Sequence, residues 1–78
     1  MQVTVKLFAT LREYAKEGDR GICVLDLPEE TRIQEIVDML KIPEGIPKIL
    51  LINGVQKKLE DVIQEGDTLS IFPPIAGG

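Results

Sequence analysis

The sequence contains no histidine and one cysteine, Cys23, and only 4% of its residues are aromatic. Without histidine, both the commonest general base and the commonest metal-ligating side chain are missing. A single cysteine excludes an internal disulfide and a multi-cysteine metal site. We interpret Cys23 as a small buried apolar residue. Because Met1 leads directly into a strand pattern rather than a signal peptide, we expect a protein of the reducing cytoplasm.

Positive charge and long apolar runs are also scarce. The chain has 9 Lys and Arg residues against 13 Asp and Glu residues, which gives a net charge of -4. This charge repels phosphate backbones and anionic lipid surfaces. No apolar run is longer than that from Ile49 to Ile52, which is far shorter than the roughly 20 residues of a membrane-spanning helix. We therefore expect neither a nucleic acid nor a membrane as a partner.

A length of 78 residues suits one domain with a small core. Such a domain buries only about 60% of the surface of its unfolded chain, so a deep catalytic cavity would compete with the core for residues. The other candidates for chemistry are acidic pairs in turns, a lysine pair on an edge strand and scattered turn glycines: Glu29-Glu30, Glu60-Asp61, Lys57-Lys58, and Gly18, Gly21, Gly45, Gly54 and Gly66. Their spacing indicates neither a carboxylate dyad nor a phosphate-binding loop. We expect no enzyme activity from the chain by itself and no cofactor bound by it.

Hydrophobic periodicity predicts five short strands and two short helices. The residues that it places on the core-facing sides of the first strand, the last strand and the second helix are Val3, Val5, Leu7, Leu69, Ile71, Ile33, Ile36, Val37 and Leu40. The predicted strands are Gln2 to Phe8, Ile22 to Leu27, Lys48 to Ile52, Val55 to Lys58 and Thr68 to Phe72. Thr10 and Thr31 are each followed three residues later by Glu or Gln, a capping-box spacing that predicts a helix start at each threonine. Asn53-Gly54 predicts a type I′ hairpin. This order of elements predicts an α+β fold, a mixed sheet of four to five strands with helices packed on one face.

The chain ends in an uncharged segment, Phe72-Pro73-Pro74-Ile75-Ala76-Gly77-Gly78. The two prolines end the last strand and favour an extended direction. Four residues beyond Pro74 reach about 13 to 14 Å, and glycine leaves the terminal carboxyl carbon unhindered. These residues alone fit either a functional tail or a frayed terminus. We divide the chain into a domain, residues 1–74, and a flexible C-terminal tail, residues 75–78.

Two of the three aromatic residues, Phe8 and Phe72, fall on the sides of their strands opposite the core-facing residues. If the first and last strands are neighbours, the two rings form an exposed apolar patch at the root of the tail. Such a patch is typical of a protein contact surface. The alternative is that a loop covers Phe8.

Motifs along the whole chain carry a family likeness. The first motif is Leu7-Phe8-Ala9, which one residue separates from Leu11-Arg12-Glu13. Farther along the chain lie Ile52-Asn53-Gly54, Gly66-Asp67, and Ile71-Phe72-Pro73-Pro74, the last of which leads to Gly77-Gly78. This combination strongly resembles the small subunit of molybdopterin synthase, in the MoaD branch of the ubiquitin-like sulfur carriers. The resemblance implies a β-grasp fold, in which the first and last strands are neighbours.

The resemblance also implies a carrier whose chemistry lies at its C-terminal carboxylate. An E1-like partner, similar to ubiquitin-activating enzymes, would use ATP and Mg to adenylate Gly78, and a persulfide sulfurtransferase would supply sulfur to form a thiocarboxylate. The large subunit of molybdopterin synthase would then pass this sulfur to a pyranopterin precursor of the molybdenum or tungsten cofactor. By the same resemblance, Gly77 is a spacer and the docking residues are Phe8, Phe72, Pro73, Pro74, Ile75 and Ala76.

Three other functions remain open at this point. A thiamine-pathway sulfur carrier would share the fold and the Gly-Gly end. A ubiquitin-like protein modifier would use the adenylated glycine to form isopeptides with lysines, and a non-covalent interaction module would use the apolar patch alone. The predicted returning strand carries Gln56 and Lys57, where relatives often have more apolar docking residues.

Overall fold

Five strands form one mixed sheet in the computed structural model of the chain, which describes residues 1–15 and 20–74. The strands are β1 (Gln2–Leu7), β2 (Ile22–Asp26), β3 (Ile49–Ile52), β4 (Val55–Lys57) and β5 (Thr68–Phe72). Their order across the sheet is β2-β1-β5-β3-β4. The pair β1 and β5 is parallel, and the other neighbouring pairs are antiparallel. The first and last strands are therefore neighbours, as expected for a β-grasp.

One side of the sheet shares a hydrophobic core with α1 (Ile33–Met39). Alternate residues of a strand point to the same face, and a helix presents one apolar stripe to the sheet. The most deeply buried members of this core, each at most 2% exposed, are Val3, Val5, Leu7, Leu11, Ile33, Ile36, Val37, Ile63, Leu69 and Ile71. Complete burial of one such aliphatic side chain contributes about 1.5 to 3 kcal/mol. The predicted core-facing residues of the first and last strands and of the second helix are thus confirmed.

The start of α1 differs from the prediction by one residue. Arg32, not Thr31, is the N-cap, and its backbone N–H donates to Glu35 Oε1 at 3.0 Å. The Thr31 hydroxyl instead donates to the carbonyl of Pro28 at 2.6 Å, in the preceding turn. Because Thr31 is itself buried, its hydroxyl is committed to that turn and does not cap the helix.

The first predicted helix is a 3₁₀ helix, Ala9–Tyr14, and the predicted capping box at Thr10 and Glu13 is wrong. Phe8 is the N-cap and makes no side-chain capping bond. The Leu11 N–H donates to the Phe8 carbonyl at 3.1 Å, the three-residue spacing of a 3₁₀ helix. Leu11 is buried and packs this short segment against the core. Gly18, one of the turn glycines, lies outside the described residues.

All five predicted strands are present. Four of the predictions extend one residue too far, at Phe8, Leu27, Lys48 and Lys58. Strand ends depend on where the partner strand stops and are the least predictable part of an element. The predicted hairpin is present, with φ of 50° at Asn53 and 85° at Gly54. Positive φ at both central residues is the requirement of a type I′ turn.

No helix in the described part of the chain is long and apolar enough to cross a membrane.

Candidate docking face at the root of the tail

The side of the sheet opposite α1 is the candidate functional surface, and we call it the open face. Strand register places on it Thr4, Lys6, Phe8, Ile22, Val24, Ile49, Leu51, Thr68, Ser70 and Phe72. Every one of these residues is exposed or half-buried, whereas the strand residues between them mostly face the core. Among the described residues, therefore, no element covers this face as α1 covers the other.

Phe8 and Phe72 form a stacked pair on the open face, with ring centroids 4.3 Å apart and ring planes inclined by 12°. The parallel register of β1 and β5 brings them together, because Leu7 pairs with Ile71 and the Phe8 N–H donates to the Ile71 carbonyl at 3.2 Å. An aromatic pair contributes about 0.5 to 1.5 kcal/mol beyond its buried area. Both residues remain half-buried, so the pair still presents apolar surface. We call this pair the phenylalanine stack.

Apolar side chains continue from the phenylalanine stack along the open face. Ile49 lies opposite Phe72 on β3, and Leu51 follows two residues later on the same face. Toward the other end of β1 and β5, the hydroxyl residues Thr4 and Thr68 lie opposite each other. The open face is thus most apolar at the end of β5 from which the chain continues toward its C-terminus, an arrangement typical of a protein contact surface.

The sequence prediction of a patch at the tail root named only the two phenylalanines. It missed Ile22, Val24, Ile49 and Leu51, which extend the apolar surface over neighbouring strands. A signal was present, because β2 and β3 carry apolar residues at consecutive positions and therefore on both faces. A single short helix covers one face of a sheet, so the second apolar face had to be solvent-exposed or reserved for a partner.

The other predicted site residues follow β5. Pro73 is half-buried and Pro74 is exposed, and neither has a backbone N–H with which to continue the ladder. Ile75, Ala76, Gly77 and Gly78 lie outside the described residues, so their predicted roles stay predictions.

The acidic pairs lie in turns, as predicted, whereas only Lys57 of the lysine pair lies on the edge strand. Glu29 and Glu30 are exposed in a turn, and Asp61 Oδ2 accepts a hydrogen bond from the Lys58 N–H at 2.8 Å, which stabilises the turn after β4. Lys57 is exposed on β4, at an edge of the sheet.

Within residues 1–15 and 20–74, no group of three or more His, Cys, Asp or Glu residues could hold a metal ion. Cys23, predicted to be buried, is half-buried against the core.

Solved structures share this fold over all or nearly all of the chain. Haloferax volcanii SAMP1 is 24% identical with full coverage of both chains and a TM-score of 0.77. A putative molybdopterin converting factor subunit 1 from Pyrococcus furiosus is 24% identical, with 95% of this chain and 98% of that chain covered and a TM-score of 0.73. The Helicobacter pylori complex of molybdopterin-converting factor subunits 1 and 2 matches at 23% identity, full coverage of both chains and a TM-score of 0.63.

Sequence comparison identifies the family. No curated protein sequence matches the chain significantly, but the ThiS family profile matches residues 5–78. That range runs from within β1 to the Gly-Gly end and includes α1 and the strands β2 to β5. Together with the shared β-grasp fold, this match shows that the chain belongs to the ThiS family and has the fold of the ubiquitin-like sulfur carriers of the MoaD and ThiS type.

Proposed function

We propose that this chain is the sulfur carrier subunit of a molybdopterin synthase and that Gly78 is its reacting residue. The observation that carries the proposal is the phenylalanine stack on the open face, at the end of the strand that leads into Pro73-Pro74 and the Gly-Gly end. Two structural neighbours are named as molybdopterin converting factor subunits. A docking surface at the root of a reactive tail is what a carrier of this kind needs.

The proposed chemistry converts the Gly78 carboxylate into a thiocarboxylate. A carboxylate oxygen attacks the α-phosphate of ATP and pyrophosphate leaves, so that an acyl adenylate forms. The terminal sulfur of a persulfide then displaces AMP, and a thiol cleaves the resulting acyl disulfide. A disulfide then joins the thiol to the sulfur donor, and the transferred sulfur stays on the carbonyl carbon of Gly78 as the thiocarboxylate. The ATP and Mg sites, the persulfide and the thiol belong to the partners in this proposal, and the chain contributes an unhindered terminal carboxyl group.

In this proposal the open face binds the partner, and the tail delivers the terminal carboxyl group to the partner's active site. We assign docking to Phe8, Phe72, Pro73 and Pro74, and we assign Ile75 and Ala76 to the entrance of the partner's active site. Residues 75–78 form the tail of the domain 1–74, with a reach of about 13 to 14 Å. The proposed partners are an E1-like activating enzyme, a persulfide sulfurtransferase and the large synthase subunit, by analogy with the two-subunit complex from Helicobacter pylori.

A second candidate is a ubiquitin-like protein modifier, favoured by the similarity to small archaeal modifier protein 1 from two archaea. It would use the same adenylated Gly78, but the acceptor would be a lysine amine. Detection of lysine conjugates of the chain in cells, absent for a variant that lacks Gly77-Gly78, would favour this candidate over a dedicated carrier.

The proposal is tested by the intact mass of the protein after incubation with Mg-ATP, an activating enzyme and a sulfur source. We expect a gain equal to the replacement of one oxygen by sulfur, mapped by fragmentation to Gly78. The control without ATP and the variant without Gly77-Gly78 should show no gain. No change in the presence of an activating enzyme that is competent on another carrier would contradict the proposal for that partner. Addition of the large subunit and the pyranopterin precursor should then reverse the mass gain.

A further inference from the structure

The turn between β3 and β4 contains the only asparagine of the chain, Asn53, followed directly by Gly54. Both residues are exposed. The side-chain carbonyl carbon of an asparagine is open to attack by the backbone nitrogen of the next residue, and glycine hinders this attack least because it has no Cβ. Nothing lies within 4 Å of a Cβ built on Gly54. The turn therefore combines a residue pair suited to spontaneous deamidation with open space around it.

Hydrogen bonds hold the Asn53 side chain away from this reaction. Its Nδ2 donates to Asp67 Oδ1 at 3.0 Å, and its Oδ1 accepts from the Thr68 N–H at 3.0 Å. To bring its carbonyl carbon to the Gly54 nitrogen, the side chain must turn away from both partners. Each bond has to break without replacement from within the fold, so the reaction requires a local opening of the turn.

We propose that Asn53 is a deamidation site whose rate is controlled by these two hydrogen bonds, and that its product loosens the β3–β4 hairpin from the start of β5. The Gly54 nitrogen attacks the side-chain carbonyl carbon of Asn53. Ammonia leaves with the proton of the Gly54 N–H, and a succinimide ring forms. Addition of water to the side-chain carbonyl of the ring gives aspartate, and addition to the backbone carbonyl gives isoaspartate. Both products add one negative charge to the chain.

The product conflicts with the groups around it. An aspartate at position 53 places a carboxylate oxygen where Nδ2 now lies, 3.0 Å from Asp67 Oδ1. A donor and an acceptor are thus replaced by two acceptors of the same charge, which repel each other. Asp67 is held in place because its Oδ2 accepts from the Gln64 N–H at 2.9 Å. Isoaspartate has the further effect of lengthening the main chain by one carbon, in a turn that requires positive φ at Asn53.

The deamidation site lies at the end of the sheet away from the proposed reaction. Ile52, which precedes the turn, pairs with Leu69 near the start of β5, whereas Ile49 pairs with Phe72 at its end. The tail follows that end of β5. Deamidation therefore leaves the phenylalanine stack and Gly78 chemically unchanged, and it is measured on the isolated chain whether or not the chain carries sulfur.

The first test is the rate of deamidation of the full chain at mildly alkaline pH, in buffer and in urea. Intact mass follows the loss of ammonia, and peptide mapping locates aspartate and isoaspartate. We expect both products at Asn53 in both samples, and formation at least about tenfold faster in urea, where the turn is open. Equal rates in the two samples, or a folded chain that stays intact while the unfolded chain reacts, would overturn the proposal.

Turn variants separate control by the side-chain hydrogen bonds from a general loss of stability. Asp67→Ala frees Nδ2 of Asn53 and should accelerate deamidation of the folded chain several-fold. Asp61→Ala is the matched control, because Asp61 and Asp67 each accept a hydrogen bond from the backbone N–H three residues earlier, and only Asp67 is bonded to Asn53. Thermal melting checks that both variants are folded. Equal acceleration by the two variants would contradict control by the Asn53 side chain.

Exchange of the two side chains tests the effect of the product. Asn53→Asp reproduces the aspartate product and should lower the midpoint of urea unfolding. Addition of Asp67→Asn should restore most of this loss, because an amide at position 67 can donate to the carboxylate at position 53 and still accept from the Gln64 N–H. A double variant no more stable than Asn53→Asp would contradict the proposed repulsion.

Discussion

Phe8 and Phe72 stack with ring centroids 4.3 Å apart, yet neither ring is fully buried. Packing in the core fixes the position of a side chain that faces inward. These two rings instead lie on the face of the sheet away from α1. Their exposed apolar area is available to a partner, and aromatic anchors of this kind often dominate binding energy. At the scale of single residues, we therefore expect the proposed docking to be most sensitive to substitution in the stack.

Phe72→Ala is expected to weaken binding of the activating enzyme or the large synthase subunit at least tenfold, which corresponds to about 1.4 kcal/mol. The reason is loss of ring area at the root of the tail. Isothermal titration calorimetry measures the effect. Val55→Ala removes an exposed apolar side chain on β4 and should leave affinity close to that of the unchanged chain. Equal affinities for all three proteins would argue against the stack as a docking site.

Gly21 gives a second prediction at this scale. Its φ is 81°, and a Cβ atom there would lie 2.4 Å from the Leu7 carbonyl oxygen. Because both the conformation and the space exclude a side chain, Gly21→Ala should lower the free energy of unfolding by about 1 to 3 kcal/mol or more. Urea unfolding measures the change. Gly45→Ala is the matched control, since nothing lies within 4 Å of its added Cβ, and its effect should be under about 1 kcal/mol.

At the scale of elements, Asn53 connects the β3–β4 hairpin to β5. Its Nδ2 donates to Asp67 Oδ1 at 3.0 Å, and its Oδ1 accepts from the Thr68 N–H at 3.0 Å. Asn53 also adopts the positive φ that the hairpin turn requires. One side chain thus supports the turn and joins it to the segment that leads into β5.

Asn53→Gly retains the turn conformation and removes both side-chain bonds, so it should lower the free energy of unfolding by about 1 to 2 kcal/mol. Chemical denaturation measures this loss, and amide hydrogen exchange should show faster opening of β4 than of β1. Exchange that accelerates equally in all strands would mean that Asn53 supports the whole sheet rather than the hairpin.

The helix supplies a further prediction at the scale of elements. Ile36 is 0% exposed, whereas Met39 on the same helix is 55% exposed. Ile36→Val should cost about 0.5 to 1.5 kcal/mol because it leaves a small cavity between α1 and the sheet. Met39→Ala should change the free energy of unfolding by no more than about 0.5 kcal/mol. A larger loss for Met39 in urea unfolding would indicate that this face of α1 is covered by a second copy or partner.

At the scale of the whole molecule, stability and proposed function lie in different parts of the chain. The described core draws on β1, α1, β3 and β5, whereas the proposed reaction takes place at the last residue. Deletion of Gly77-Gly78 should therefore shift the melting temperature little, while thiocarboxylate formation and cofactor rescue should be abolished. A large drop in melting temperature would contradict the separation of tail and domain. If the chain without Gly77-Gly78 still rescued cofactor synthesis, this result would exclude both functions that need the terminal glycine, the sulfur carrier and the protein modifier.

The sequence by itself determined the elements and their core-facing sides. Alternation identified Val3, Val5, Leu69 and Ile71 as inward residues, and Asn53-Gly54 identified the hairpin. These features depend on how side chains alternate along a strand and on the conformation of a turn, which are local properties of the chain. The family likeness likewise rests on motifs that are read directly from the residues.

Only the tertiary structure decided how distant segments meet. Phe8 and Phe72 are at opposite ends of the chain, and their stacking depends on the parallel pairing of β1 with β5. The one-residue shift of the α1 cap arose in the same way, because burial of Thr31 directed its hydroxyl to Pro28. Strand pairing and burial are set by contacts between residues far apart in sequence, so local patterns limit them without selecting among the possible arrangements.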